Sequence, residues 1–136
     1  MQDRHVECRQ RPLGSGFTAA STTADVIAGI DLTGKVATVT GGYSGLGVET
    51  VRALASAGAE VIVTARDPRR AATALTDIAD VEIGEMDLLD PASIDAFADG
   101  FLATGRPLHI LVNSAGIMGA PLRRDAREKL LDLTFL

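Results

Sequence analysis

The chain has 136 residues, of which 46% are hydrophobic and 23% are charged, which predicts one folded domain rather than a disordered segment. Its formal net charge of -5 argues against a nucleic-acid partner, because phosphate backbones favour a basic surface. The single cysteine, Cys8, cannot form an internal disulfide, and no apolar run reaches the roughly 20 residues of a membrane span, so we expect a cytoplasmic protein without a membrane-spanning segment.

Residues 1–30 are predicted to form a leader with one short helix. The first part of this segment is polar, contains proline and glycine, and shows no periodicity, which is typical of a flexible region. Thr22 and Asp25 then form a capping-box pattern. We therefore predict a short helix over residues 24–28.

From residue 31 onward the chain alternates between short apolar segments and helix-like segments. The apolar segments are rich in β-branched residues and predict strands at 35–40, 60–65, 81–86 and 108–113. The segments between them predict helices at 45–57, 68–79 and 91–103. Asp90 and Pro91 suit a helix start, and Gly58 and Gly105 suit helix ends. This alternation predicts an α/β fold, a three-layer doubly wound parallel sheet of about four strands. His109 is expected to be a buried, hydrogen-bonded core side chain.

The sequence TGGYSGLG, residues 40–47, follows the first predicted strand and opens the first long helix. Gly41 would allow a sharp turn, Gly45 a close approach of a diphosphate to the backbone, and Gly47 close packing of the helix on the strand. The amide groups at the helix start would then face the phosphates. The alternative is an ordinary strand-to-helix turn that is rich in glycine.

This loop resembles the T-G-x-x-x-G-x-G motif of the short-chain dehydrogenase/reductase family. NSAG at residues 113–116 is similar to the family's N-N-A-G, with Ser114 in place of the second asparagine, and MDL at 86–88 ends the third strand as in the family. The flanking segments STTADVIAGIDLTGK and GIMGAPLRR resemble the retinol-dehydrogenase-like branch. The resemblance implies a Rossmann-like domain over residues 31–121 that binds a nicotinamide dinucleotide.

The family's cofactor positions can be carried over to matching residues of this chain. The resemblance implies that the dinucleotide contacts Gly41, Tyr43, Ser44, Gly45, Leu46, Gly47, Asp87, Leu88, Asn113, Ala115 and Gly116. For some of these residues a structural role is an open alternative. Tyr43 would then simply cover the loop, Asp87 would cap local amide groups, and the Asn113 side chain would tie neighbouring strands together.

The end of the second strand indicates which dinucleotide is bound. Sites that bind NAD usually place an acid there against the ribose 2′-hydroxyl, whereas an arginine accommodates the 2′-phosphate of NADP. Here Ala65 occupies that position and Arg66 follows it. We therefore expect NADP in preference to NAD. In the alternative, Arg66 and Asp67 are solvated loop charges, with Asp67 capping the next helix.

The family's reaction interconverts an alcohol and a carbonyl, and it uses a tyrosine, a lysine four residues later, and a serine. Tyr43 is the only tyrosine, Gly47 stands where its lysine would be, and no serine follows Ser114. We thus assign no catalytic residue and no metal ligand to this chain. The expectation is the cofactor-binding half of an oxidoreductase, cut short.

Residues 122–136 are predicted to form a truncated helical tail, because Leu122, Ala126 and Leu130 have helical spacing. The fourth strand would then present an open apolar edge, which favours aggregation, an oligomer or another partner. Two other interpretations stay open, a non-catalytic nucleotide-binding module and a non-functional remnant.

Overall fold

The computed structural model describes residues 13–116 and, beyond them, the backbone of two short strands. The helices are α1 Thr23–Ile27, α2 Gly45–Ser56, α3 Pro68–Ala74 and α4 Pro91–Ala103. The strands are β1 Val36–Thr40, β2 Glu60–Ala65, β3 Val81–Glu85, β4 Ile110–Asn113, β5 Arg123–Arg124 and β6 Leu130–Leu131. Within this part of the chain, no helix combines the length and the apolar character that a bilayer crossing requires.

β1 to β4 form one parallel sheet in the order β3-β2-β1-β4. Helices connect the consecutive strands, so the predicted α/β fold with a parallel sheet is confirmed. The chain moves outward from β1 to β3 and then returns to place β4 on the other side of β1. This reversal creates a crevice at the carboxyl ends of β1 and β4, where Thr40 lies opposite Asn113.

The hydrophobic core lies between the two inner strands and the helices packed on them. Val39 of β1 and Val61 and Val63 of β2 form a buried cluster with Val51 of α2 and Leu75. Every residue of β1 is buried, as is every residue of β2 after Glu60. The core thereby fixes the strand ends from which the crevice is built.

The local capping signals form as the sequence predicts. Asp25 N donates to Thr22 Oγ1 at 3.2 Å, and Thr22 N donates to Asp25 Oδ2 at 2.7 Å, so the capping box at the start of α1 is confirmed. Asp90 accepts a hydrogen bond from Ala92 N at 3.0 Å at the start of α4. Left-handed glycines, Gly58 and Gly105, follow the ends of α2 and α4.

α3 is shorter than predicted, because it ends at Ala74 rather than near residue 79. Thr76 Oγ1 donates to the carbonyl of Thr73 at 2.6 Å, and Ile78 N donates to Leu75 O at 3.0 Å, which closes a tighter turn. Asp80 then adopts a φ of 59°, which a continuing helix would not allow. Side-chain bonding to the backbone therefore competes with the helix after its second turn.

The outer strands are less buried than the inner ones. β3 and β4 contain only exposed and half-buried residues, and α4 has no buried residue. His109 is also exposed rather than part of the core, although it is hydrogen-bonded as expected: its Nδ1 accepts from Val36 N at 2.9 Å. An edge strand has one neighbour instead of two, so an apolar sequence alone does not bury it.

The end of the chain differs from the predicted helical tail. Arg123–Arg124 and Leu130–Leu131 pair as antiparallel strands, so a helix does not run through Leu130. Leu122 and Ala126, which carried that prediction, lie outside the described residues.

Candidate functional site

A cavity of about 670 Å³ lies at the carboxyl ends of the parallel strands, over the start of α2. Its size is within the range of pockets that hold small molecules and cofactors, roughly 300–1,000 Å³. The structure brings nearly all the predicted site residues to this cavity, namely Gly41, Tyr43, Ser44, Gly45, Leu46, Gly47, Arg66, Asp87, Leu88, Ala115 and Gly116. Asn113 is the exception: it ends β4 opposite Thr40 and does not line the cavity.

The turn from β1 into the loop requires glycine at position 41. Gly41 has a φ of 65°, in the left-handed region, and a Cβ there would lie 2.7 Å from Ala115 Cα. The glycine loop and the end of β4 are therefore in backbone contact. This contact closes the bottom of the crevice between β1 and β4.

The two later glycines of the loop have different surroundings. A Cβ on Gly47 would collide with the carbonyl oxygen of Gly41 and lie 3.0 Å from Gly42 Cα, so α2 packs directly on the loop backbone. A Cβ on Gly45 would meet nothing within 4 Å. The space above Gly45 is open to the cavity, as the close approach of a ligand to the backbone requires.

α2 differs from the other described helices at its first residue. α1, α3 and α4 begin with a side chain that accepts hydrogen bonds from the backbone, supplied by Thr22, Asp67 and Asp90. Ser44, at the start of α2, makes no such side-chain bond. The first residues of α2, Gly45 and Leu46, line the cavity and have no capping side chain, whereas Gly47 N donates to Ser44 O at 3.1 Å. This end of α2 carries the positive end of the helix dipole.

Thr40 connects the two strands that flank the crevice. Its Oγ1 accepts hydrogen bonds from the backbone amides of Ser114 and Ala115, each at 3.1 Å. Thr40 is only 4% exposed, so this link is largely shielded from water. It holds the NSAG segment beside the glycine loop and thereby sets the width of the cavity.

The end of β2 supplies a cationic side of the cavity. Ala65, which is 2% exposed, ends the strand, and the exposed Arg66 follows it. Asp67 Oδ1 accepts from Arg69 N at 3.1 Å and from Arg70 N at 3.2 Å, so Asp67 caps α3, as the alternative interpretation of this segment predicts. This carboxylate oxygen is thus directed to the backbone of α3.

Two of the predicted site residues also have local structural contacts. Asp87 Oδ1 accepts from Leu89 N at 2.9 Å, while Asp87 N donates to Ser93 Oγ at 2.9 Å, so Asp87 caps the turn after β3. Tyr43 is half-buried and packs against the core cluster as well as lining the cavity. Asp87 and Tyr43 therefore both have structural roles, and because both also line the cavity, these roles do not exclude contact with a ligand.

Sequence reasoning missed several residues that line the cavity: Thr40, Thr64, Arg70, Met86, Leu89 and Ser114. Thr40 and Thr64 face each other in the register of β1 and β2, one residue or less from the strand ends. A signal for them existed, because the carboxyl ends of parallel strands meet at one edge of the sheet. A signal for Arg70 also existed, because the helix was predicted to begin at residue 68, as it does, and Arg70 lies in its first turn.

Comparisons with known proteins identify the family. A family model described as short chain dehydrogenase matches residues 35–135. Retinol dehydrogenase 12 of Homo sapiens is 43% identical over 103 residues, which are 71% of this chain and 33% of that protein. A Streptomyces lividans protein named "Probable oxidoreductase" is 50% identical over 99 residues, 69% of this chain and 32% of its own length.

A solved structure also matches, a metagenomic short-chain oxidoreductase in complex with NADP. It has a TM-score of 0.60 and 38% identity, and the match covers 66% of this chain and 43% of that one. The chain spans about a third of the length of the curated relatives it matches. The resemblance to the retinol-dehydrogenase-like branch is confirmed by these relatives, and the chain belongs to the short-chain dehydrogenase/reductase family.

Proposed function

We propose that this chain binds NADP(H) in the crevice, as the cofactor-binding part of an oxidoreductase that interconverts alcohols and carbonyls. One observation carries the proposal: α2 begins at a cavity of about 670 Å³, and no side chain caps its first amide groups. A diphosphate would accept hydrogen bonds from these amides and is favoured by the helix dipole.

The residues of the cavity fit a dinucleotide in shape as well as in charge. The open space at Gly45 leaves room for a diphosphate against the backbone, and Gly41 and Gly47 keep the loop close to β4 and α2. Asp87 and Leu88 lie after β3, where the adenine end would bind, and Ala115 and Gly116 lie after β4, toward the nicotinamide ribose. Asn113 would act by holding the end of β4 rather than by touching the cofactor.

The preference for NADP over NAD rests on the end of β2. Ala65 presents no carboxylate that would repel a 2′-phosphate, and Arg66 supplies a guanidinium at the cavity. Arginine binds phosphate bidentately and stays charged at every physiological pH. The family relative solved with NADP supports the same choice.

The bound nicotinamide would supply hydride chemistry at C4. This chain's own contribution is to bind the cofactor and to orient it against the carboxyl ends of β1 and β4. The sequence contains no Tyr-x-x-x-Lys, so proton transfer to a substrate oxygen is not assigned to any of its residues. Our proposal for this chain is therefore cofactor binding, and the alcohol or carbonyl substrate is proposed only for the whole protein. A cytoplasmic location and an oligomeric state stay predictions.

Isothermal titration calorimetry of the 136-residue chain with NADPH and NADH tests the proposal. We expect binding of both and tighter binding of NADPH. Arg66→Ala should weaken NADPH binding by about 1–3 kcal/mol, as for a lost hydrogen bond to a charged group, with little change for NADH. Absence of heat with either dinucleotide at millimolar concentration would refute cofactor binding, and equal losses for both would refute the role of Arg66.

A further inference from the structure

We propose that Ser93 is a positioning residue for the adenine end of the dinucleotide and that it acts through Asp87; this inference rests on the proposed cofactor site. Asp87 follows β3 and lines the cavity, whereas Ser93 lies in the first turn of α4 and lines a separate groove between β3 and that helix. Asp87 N donates to Ser93 Oγ at 2.9 Å, and this hydrogen bond is partly buried. Ser93 thus holds a residue of the cavity without lining the cavity itself.

Two backbone amides fasten the turn after β3 to neighbouring elements. Met86 N donates to Ala65 O at 3.0 Å, which ties the turn to β2, and Asp87 N donates to Ser93 Oγ, which ties it to α4. The hydrogen bond from Leu89 N to Asp87 Oδ1, at 2.9 Å, stays within the turn. The Ser93 hydroxyl is therefore the contact that orients Asp87 relative to α4.

The start of α4 does not depend on this hydroxyl. Asp90 Oδ1 accepts from Ala92 N at 3.0 Å and caps the helix, and Pro91 begins it. Alanine also has a higher helix propensity than serine. Removal of the Ser93 hydroxyl should therefore change the turn after β3 more than it changes the helix.

The Asp87 carboxylate has one oxygen left for a ligand. Its Oδ1 accepts from Leu89 N, while its Oδ2 makes no hydrogen bond within residues 13–116. The 6-amino group of adenine is a hydrogen-bond donor and matches such an oxygen. Because a hydrogen bond weakens steeply when its atoms are misaligned, the orientation of Asp87 sets the strength of this contact. Ser93 would thereby raise the affinity for NADPH and NADH alike, independently of the 2′-phosphate.

The test is calorimetry of Ser93→Ala in the 136-residue chain with three probes: NADPH, NADH and reduced nicotinamide hypoxanthine dinucleotide. Hypoxanthine carries an oxygen in place of the 6-amino group, so it cannot donate at that position. Ser93→Ala should weaken binding of NADPH and NADH by about three- to tenfold, as for one lost hydrogen bond, and should not weaken binding of the hypoxanthine analogue. Ser93→Thr keeps the hydroxyl and should retain the wild-type affinities.

Thr104→Ala is the matched control. Thr104 Oγ1 also accepts from a backbone amide, that of Arg106 at 3.2 Å, but it lies at the other end of α4. Its removal should leave all three affinities unaltered. If Ser93→Ala does not fold, Ser93→Cys is measured instead, because a thiol of similar size is a weak acceptor and should give the same pattern with a smaller loss.

The outcomes separate this inference from the proposed function. Equal losses for NADH and the hypoxanthine analogue would refute the inference, because they would show that Ser93 supports the cavity only in a general way. Unchanged binding of NADH in Ser93→Ala would also refute it. If the wild-type chain binds NADH and the analogue equally well, Asp87 does not recognise adenine, and the inference fails while the cofactor site stands. A wild-type chain that binds no dinucleotide would overturn both.

Discussion

The inner strands β1 and β2 and the outer strands β3 and β4 belong to one parallel sheet but have different environments. β1 is buried throughout, whereas Leu111 of β4 is 56% exposed. The same contrast extends to the helices, since α2 contributes Gly47 and Val51 to the buried interior and α4 contributes no buried residue. Stability should therefore reside mainly in β1, β2 and α2, which are also the elements that form the candidate site.

The largest expected effect is the removal of a buried side chain from β2. Ile62 is 1% exposed, and Ile62→Ala should lower the free energy of unfolding by about 2–5 kcal/mol through lost burial and a cavity. Urea denaturation followed by circular dichroism measures this loss of stability. If the alanine variant does not fold, Ile62→Val is measured instead, with an expected loss of about 0.5–1.5 kcal/mol.

Leu111→Ala in β4 is the control for this substitution. Because Leu111 is more than half exposed, we expect a change within about 0.5 kcal/mol. A loss as large as that of Ile62→Ala would mean that β4 is covered in solution, and the contrast between inner and outer strands would be wrong.

Glycines in α2 and α4 extend the comparison to the helices. Gly47→Ala places a methyl group against the backbone of Gly41 and Gly42, so it should destabilise the chain by about 1–3 kcal/mol and impair dinucleotide binding. Gly100→Ala in α4 meets nothing within 4 Å and should stabilise the chain by roughly 0.5–1 kcal/mol, because alanine favours the helix. Thermal unfolding and calorimetry with NADPH distinguish the two. Similar effects at both positions would show that α2 does not pack on the loop.

A smaller effect is expected at Thr40, where the inner strand β1 is linked to the segment after the outer strand β4. Thr40→Val keeps the shape of the side chain but removes the acceptor for the amides of Ser114 and Ala115, which should cost about 1–2 kcal/mol. Thr40→Ser keeps the hydroxyl and should cost less. Hydrogen exchange at Ser114 and Ala115 reports the link directly, and unchanged protection in Thr40→Val would contradict it.

The sequence predicts local features best, in the inner and outer parts of the molecule alike. The capping pairs, the glycine loop and the strand-helix alternation all depend on residues near one another in the chain, so Thr22 with Asp25 and Gly41 with Gly47 could be identified from spacing. The open edge at β4 is predicted as well, but the exposure of His109 could not be, because it depends on which neighbours cover the start of β4 rather than on the strand's own residues. The hydrogen bonds from the amides of Ser114 and Ala115 to Thr40 could not be predicted either, because they need the register of β1 and β4, which no local pattern encodes.

The smallest expected effect concerns the charged edge of the sheet at β3. Arg106 places both terminal nitrogens of its guanidinium on the Glu82 carboxylate, at 2.9 and 3.3 Å, and lies 3.7 Å from Glu60 and 5.6 Å from the centre of the Phe101 ring. Exposed ion pairs contribute little because water and salt screen them, so Arg106→Gln should lower the unfolding midpoint less than Thr40→Val does. In about 1 M NaCl, where the screening length is roughly 3 Å, the difference from wild type should disappear. A difference that persists at high salt would show that packing of Arg106 on Phe101, rather than its charge, stabilises this edge. β3 would then resemble the inner strands more closely than its exposure indicates.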